Sequence, residues 1–283
     1  MENTLESFLK TGGLLRENSP LIHCITSPIA VNDCANAVLA VGARPIMAEH
    51  PEEAAGITAI SASLGVSLAN ITDARMHSLM LSGREALRQG KRSVIDAVGV
   101  NCSPMRLSLA RRFVSECRPA VIKGNASEIR ALSGASYGEA GIDTASSDRV
   151  DFGIPGSVEA MAEIISRFAR ESGAVVLASG TVDLLSDGHE VFAVENGSPR
   201  MAKVTGTGCI LNCLTAAFLS SAGTPLEAAL YGTVLLGCAG EAAEESCRAA
   251  ALPGLGSYHV ALIDALSLLG EEELEAEMKV RRL

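Results

Sequence analysis

The chain is predicted to be an α/β protein with a central, largely parallel sheet flanked by helices. Two observations predict this class. Short β-branched runs alternate with longer helical patterns. The composition is 48% apolar with no Trp, 3 Tyr and 6 Phe, so Ala, Leu, Val and Ile must fill the core, as helices packed on a sheet require.

In chain order, a helix is expected over Val31–Val41, a strand over Pro45–Ala48 and a helix over Pro51–Ser61. A strand at Val66–Asn70 precedes a helix over Asp73–Gln89, whose first residue is a helix starter. The strand Ser93–Val98 leads to a helix opened by Pro104 and running to Glu116. The strand Ala120–Lys123 leads to a helix over Ala126–Leu132, with Ser127 in its first turn. The Ser/Gly/Asp-rich stretch Ser133–Gly156 reads as an exposed excursion, long enough to be mobile or a lid. A helix over Val158–Glu171 and a strand over Ala174–Ser179 follow. Leu184–Ser186 and Glu190–Val194 flank Asp187-Gly188, an antiparallel hairpin signal. The remainder is mostly helical: Thr207–Ser221, Pro225–Cys247, Ser257–Leu269 and a charged helix from Glu271. No repeat or charge block divides the chain, so residues 1–283 are expected to form a single domain.

The net charge of −10 argues against nucleic acid or an anionic membrane as the main partner. It does not oppose a phosphate ligand, since local amides and one Lys can dominate a site. The first residues carry no secretory signal pattern, and no apolar run is long enough to span a bilayer. The 8 cysteines are scattered without Cys-x-x-Cys or zinc-like His spacing. Most are expected to be reduced and buried, as in a cytoplasmic protein.

The richest ten residues are Lys203-Val204-Thr205-Gly206-Thr207-Gly208-Cys209-Ile210-Leu211-Asn212. An apolar approach enters a turn of small residues and then a long Ala/Leu/Cys-rich helix. The amides of Gly206, Thr207, Gly208 and Cys209 would stand at the positive end of that helix without intrahelical partners, a ready anion hole. Cys209 falls where a thiolate is best stabilised. An anion hole beside a polar group suits phosphoryl transfer to an alcohol. An ordinary Gly-containing turn before a buried helix fits the same residues.

Four further features can carry chemistry. Asn125-x-x-Glu128 follows a strand and opens a helix, where a carboxylate can hold Mg²⁺ through water; helix capping fits the spacing better. Asp96 ends an apolar strand, where α/β proteins place ligands, though it fits a turn-capping role equally. Lys123 can meet a phosphate as a point charge, but a solvated surface Lys is the default. His23-Cys24-Ile25-Thr26-Ser27-Pro28 lacks a third metal ligand nearby and reads as structural, and Met47 reads as a core filler.

Taken in order, these segments resemble the hydroxyethylthiazole kinase family of the ribokinase-like superfamily, from about Leu21 to Leu266. The resemblance rests on His23-Cys24-Ile25-Thr26, Asn32-Asp33-Cys34-Ala35-Asn36, Pro45-Ile46-Met47-Ala48 and Gly124-Asn125-Ala126-Ser127-Glu128-Ile129-Arg130-Ala131-Leu132. Val204-Thr205-Gly206-Thr207-Gly208-Cys209, Gly256-Ser257-Tyr258 and Val260-Ala261-Leu262 complete it.

The resemblance implies a ribokinase-like fold and a homotrimer with sites at subunit interfaces. It also implies ATP- and Mg²⁺-dependent phosphorylation of the hydroxyethyl group of 4-methyl-5-(2-hydroxyethyl)thiazole, for thiamine salvage. Carried over, Met47 would meet the thiazole through its backbone, Gly206 and Ser27 would line the same pocket, and Lys123 and Ser179 would contact ATP. Glu128 and Asp96 would organise Mg²⁺ and phosphates. Cys209 stands where most ribokinase-like enzymes have an Asp base; positioning, more than basicity, carries phosphoryl transfer.

The chain departs from the family pattern at several points. Lys123 replaces an Arg, Ser179 a Thr, and Ser27 an Asn. The family's Asp-Pro-Val-Gly-Val-Gly-Ala is here Asp96-Ala97-Val98-Gly99-Val100-Asn101-Cys102, and its Asn-Ile-Gly is Ser67-Leu68-Ala69. The phosphate machinery is thus mostly kept while the pocket wall changes. Two alternatives follow: a kinase of another small alcohol on the same fold, or a non-catalytic thiazole- or nucleotide-binding homologue.

Overall fold

The computed structural model describes residues 2–138 and 143–283. In order its elements are α1 (Glu2–Asn18), β1 (Leu21–Ile25), α2 (Val31–Ala40), β2 (Arg44–Ile46), α3 (Pro51–Ile60) and β3 (Ser63–Ser67). Then come α4 (Asp73–Arg88), β4 (Ser93–Asp96), α5 (Pro104–Cys117), β5 (Val121–Asn125), α6 (Ala126–Ser133), α7 (Ser157–Ser172) and β6 (Val175–Ser179). The remainder is β7 (Asp183–Ser186), β8 (Val191–Val194), α8 (Thr207–Leu219), α9 (Pro225–Ala249), α10 (Leu255–Leu268), α11 (Glu271–Glu277) and β9 (Val280–Arg282).

Among the described residues the strands form one 9-stranded sheet in the order β2-β1-β3-β4-β5-β6-β7-β8-β9. Pairing is parallel from β2 to β6 and antiparallel beyond. Successive side chains of a strand point to opposite faces, and here both faces are covered. Val94, Val121, Val175 and Leu177 face a core filled by α1, α2, α8, α9 and α10. Ile95, Ile122 and Val176 face the opposite core under α4, α5, α6 and α7. Burial on both sides explains why these strands are near-continuous apolar runs rather than alternating ones.

All six strands of the parallel part, β1 to β6, end on the same edge of the sheet, where α8 begins. At Gly65 in β3 a Cβ would lie 2.9 Å from the Ala216 Cβ, so α8 packs directly on the strand. Asn212 reinforces that contact by donating to the Val66 carbonyl at 3.2 Å.

Several sequence expectations need correction. The predicted strand Val66–Asn70 runs instead over Ser63–Ser67, because pairing with β1 and β4 begins at Ser63 and Leu64. Pairing likewise shifts Pro45–Ala48 to Arg44–Ile46 and Ala120–Lys123 to Val121–Asn125, and trims Ser93–Val98 to Ser93–Asp96. Three elements were not anticipated: α1, β1 and β9.

The excursion Ser133–Gly156 is not wholly exposed. Asp148, in a short 3₁₀ turn, is buried; it accepts from Ser127 Oγ at 2.6 Å and from the Gly138 amide at 2.7 Å. The Ala145 amide in turn donates to Ser127 Oγ at 3.0 Å, which ties the segment to α6. Residues 139–142 of the excursion lie outside the described residues.

Candidate active site

The ends of β4 and β5 place two charges side by side. Asp96 and Lys123 are register partners; both are buried, and Lys123 Nζ donates to Asp96 Oδ1 at 2.9 Å. Lys123 is therefore not the solvated surface residue that its sequence context suggests. Burial pulls its ammonium pKa down, but the charge and hydrogen bond of Asp96 outweigh that and hold it above the ordinary Lys value. Burial pushes Asp96 up against the opposing pull of Lys123. Its second oxygen, Oδ2, is buried with no hydrogen-bond partner among the described residues.

Asn125 caps α6 in a closed capping box. The Glu128 amide donates to Asn125 Oδ1 at 3.0 Å, and the Asn125 amide donates to Glu128 Oε2 at 2.7 Å. Glu128 does more than cap, since its Oε1 also accepts from the Gly99 amide at 2.8 Å. The carboxyl thereby joins the ends of β4 and β5. Burial, then the nearby Asp96 charge, pushes its pKa up to about 7, against the two amides and Lys123.

The predicted anion turn meets this pair. Gly206 caps α8 with φ of 93°, a left-handed conformation that favours Gly. A Cβ on Gly208 would lie 3.4 Å from Lys123 Nζ, so the first turn of α8 lies against the ammonium. Cys209 is half-buried in that turn. The expected thiolate is overturned: burial, Asp96 and Cys34 push the thiol up to about 12, against Lys123 and Thr26. A helix N-terminus stabilises thiolate, but here it faces a carboxylate in a water-poor site.

On the other flank, the loop after β2 is tied down at consecutive residues. His23 accounts for one anchor. The Ala48 carbonyl can only accept, so Nε2 carries the proton donated to it at 2.7 Å, while Nδ1 pairs with Thr58 Oγ1 at 2.8 Å. The structural reading of His23 holds. Ser78 Oγ donates to the Glu49 carbonyl at 2.7 Å. Arg75, buried, pairs with the Glu49 carboxylate and donates to the Thr26 carbonyl at 2.7 Å. Met47, immediately before these anchored residues, lies half-buried against the core under α8. Ser27, at the end of β1, donates from Oγ to Asn70 Oδ1 at 2.7 Å.

Ser179 ends β6 and donates to the Gly124 carbonyl at 3.3 Å. It lines a cavity of about 340 Å³ with Ala126, Arg149, Gly180 and Thr181. Thus Met47, Ser27, Asp96, Lys123 and Ser179 all sit at strand ends on one edge of the sheet, with Gly206–Cys209 on the same edge. Sequence reasoning missed Arg75, Glu49, Thr26 and Asn70. The Thr72-Asp73 helix start two residues beyond Asn70 was the available signal that the chain turns there.

Residues 13–272 match the model of the hydroxyethylthiazole kinase family. The chain belongs to that family. It is 42% identical over 261 residues to hydroxyethylthiazole kinase 2 of Clostridium botulinum (strain 657 / Type Ba4), covering 92% of this chain and 95% of the relative. It is 37% identical to hydroxyethylthiazole kinase 1 of Methanosphaera stadtmanae over 289 residues, covering 100% and 99%. Among solved structures, a hydroxyethylthiazole kinase protein from Pyrococcus horikoshii OT3 superposes with a TM-score of 0.83 at 31% identity, covering 100% of both chains. A pyridoxal kinase from Staphylococcus aureus in complex with ADP, 14% identical with a TM-score of 0.58, covers 78% of this chain and 88% of its own. That likeness reflects the shared ribokinase-like fold.

Proposed function

We propose that this member of the hydroxyethylthiazole kinase family transfers the γ-phosphoryl group of ATP to the hydroxyl of 4-methyl-5-(2-hydroxyethyl)thiazole, serving thiamine salvage. The observation that carries the reading is the contact of the α8 N-terminus with the buried Lys123–Asp96 pair. It puts unpaired amides and a fixed cation where charge gathers on the moving phosphoryl group. The hydroxyl oxygen forms a bond to the γ-phosphorus as the bond to the ADP oxygen breaks, and the hydroxyl proton is released.

In this reading the amides of Gly206, Thr207, Gly208 and Cys209 receive the phosphoryl oxygens. Cys209, a thiol near neutral pH, orients the hydroxyl rather than acting as a strong base. Met47, Gly206 and Ser27 form the acceptor pocket, and the cavity beside Ser179 takes the nucleotide. Lys123 meets the phosphates from below.

Mg²⁺ fits the donor set. Among the described residues no three His, Cys, Asp or Glu side chains form a metal cage, but Mg²⁺ characteristically uses one or two carboxylates with waters and substrate phosphates. The unpartnered Asp96 Oδ2 and the Glu128 carboxylate would hold it there. It would supply charge neutralisation to the phosphates.

The residues 1–283 are read as one domain, assembled as a homotrimer in the cytoplasm. Support for assembly is an apolar surface on α2 and α10, where Leu39, Val260 and Leu268 are 56%, 62% and 78% exposed. Eight unpaired cysteines fit a reducing compartment. Light scattering at micromolar concentration should give three times the chain mass, and a monomer would overturn the trimer.

The decisive experiment couples ADP release to addition of the thiazole alcohol. Turnover that needs alcohol, ATP and Mg²⁺ together supports the reading. ADP release only with a different alcohol would move the chain to the other-substrate alternative, and none with any would leave a binding protein.

A further inference from the structure

Beneath the first turn of α8 lies a chain of thiols that stands apart from the phosphate machinery. Cys24 of β1, Cys34 of α2 and Cys213 of α8 are all buried in one core. The Cys34 thiol donates to Cys213, and the Cys213 thiol donates to Cys24. One hydroxyl connects this chain to the active site. Thr26, itself buried, directly follows β1, and its Oγ1 lies 3.7 Å from Cys34 Sγ. The same hydroxyl is hydrogen-bonded to the thiol of Cys209.

Thr26 is held from both sides. Its carbonyl accepts from Arg75 Nη2 at 2.7 Å. The next residue, Ser27, donates from Oγ to Asn70 Oδ1 at 2.7 Å, and its carbonyl accepts from the Ala30 amide at 3.0 Å. A β-branched side chain on a fixed backbone has little freedom at χ1, so Oγ1 stays between the two sulfurs. A hydroxyl has one proton and can donate to only one of them. The Cys34 proton is committed to Cys213, which leaves the Cys34 sulfur as the acceptor for Thr26. Thr26 Oγ1 in turn accepts the Cys209 S–H. With that S–H turned inward, Cys209 keeps its sulfur lone pairs for a group outside the chain.

We propose that Thr26 is a positioning residue that fixes the rotor of the Cys209 thiol, so that the sulfur accepts from the hydroxyl of the alcohol and turns an oxygen lone pair of that hydroxyl toward the γ-phosphorus. The inference rests on the kinase reading above and gives Cys209 a defined orientation within it. No proton moves along the chain, and the thiol remains a thiol.

The test is a mutant cycle. Thr26→Val removes the hydroxyl at nearly constant volume, and Thr26→Ser keeps it. Each is made in wild type and in Cys209→Ala, and thermal melts check the fold; Thr26→Ala takes the place of Val if Val does not fold. In the wild-type background Thr26→Val should lower kcat about three- to tenfold, the scale of one neutral hydrogen bond. KM for the alcohol and for ATP should stay nearly unchanged, and Thr26→Ser should keep most of the rate. In Cys209→Ala the Val substitution should cost almost nothing further, because the thiol it positions is gone.

A second readout needs no turnover. The S–H stretching band of Cys209 is isolated as the Raman difference between each protein and its Cys209→Ala counterpart. It should move to higher frequency in Thr26→Val, where the S–H has lost its acceptor, and return in Thr26→Ser. An unmoved band, or equal kcat losses in the two backgrounds, would overturn the proposal while leaving the kinase reading intact. Wild-type enzyme that releases no ADP with the thiazole alcohol would overturn the kinase reading and this role with it, whatever the band does.

Discussion

Asp96 and Lys123 form a buried ion pair, 2.9 Å long, between register partners on adjacent parallel strands. Each side chain compensates the other's desolvation, and only one carboxylate oxygen is used. Removing one partner strands the other.

Lys123→Ala should therefore lower stability by about 3–5 kcal/mol, the usual consequence of breaking a buried pair. Combining it with Asp96→Asn should recover part of that loss, because no unpaired charge is left behind. Urea unfolding of the two single variants and the double variant measures the coupling. Strict additivity would mean that the pair is not a thermodynamic unit. ATP affinity should weaken independently in Lys123→Ala, by about 1–3 kcal/mol for a lost charge-assisted hydrogen bond.

Cys209 and Cys213 lie one turn apart on α8 and should separate function from folding. Cys213 is fully buried, whereas Cys209 is half-buried beside the charged pair. Cys209→Ala should reduce kcat by about 10–10⁴-fold, the range for a group acting on the transferred proton or its oxygen. Cys213→Ala should mainly cost stability, with little effect on kcat. Cys209→Asp should keep the rate. If Cys209→Ala turns over normally, the thiol is only packing.

The same thiol gives a chemical readout. With its pKa near 12, Cys209 is scarcely thiolate at pH 8, and the thiolate is the reactive form. Iodoacetamide at pH 8 should label the exposed Cys102 well before Cys209, as peptide mass mapping would reveal. Faster labelling of Cys209 would mean that the helix terminus dominates after all.

How much of this was legible in the sequence depended on whether the deciding partner lay nearby in the chain. The glycine turn that opens α8, the hairpin and the capping box are local and were read correctly. Lys123 was misjudged because its partner Asp96 is 27 residues away, set opposite it only by sheet register. β1 was missed because a His interrupts its apolar run; pairing with Ile46 and Leu64 makes His23 a strand residue, and Thr58 and Ala48 satisfy its buried ring. α1 contains Gly12 and Gly13, poor helix formers. A Cβ at Gly12 would fall 2.1 Å from Tyr231 Oη, so helix packing, not propensity, explains that residue. β9 is a Val-Arg-Arg segment without an apolar face, recognisable only from its pairing with β8.

His23 should make stability pH-dependent. Burial lowers its pKa from the ordinary 6.5, against the Ala48 hydrogen bond and Glu53. As pH falls below 6.5, the unfolded chain takes up a proton that the native imidazole refuses. Stability is then lost until the lowered native value is passed, and above 6.5 the contribution is complete. Urea titrations at pH 7 and 5 should show a smaller loss in His23→Gln than in wild type. Equal losses would assign the pH dependence to other groups.

Gly206→Ala should destabilise and inactivate together. Its φ of 93° strains any side chain, and the added Cβ would come within 2.9 Å of the Ala30 Cβ. A cost of about 1–3 kcal/mol is expected, with a fall in kcat as the α8 amides shift. An Ala variant as stable as wild type would mean that the turn relaxes freely.

The last strand has a consequence for handling the molecule. β9 covers β8 through Val280, Arg281 and Arg282, and its arginines pair with Glu195 and Glu190. Clipping the chain after Glu277 would uncover Val191–Val194 as a bare apolar edge, a template on which a second molecule can stack. Such a truncation would first show as turbidity and sedimenting material in concentrated solutions, while freshly diluted molecules still carried an intact cleft at the ends of β4 and β5.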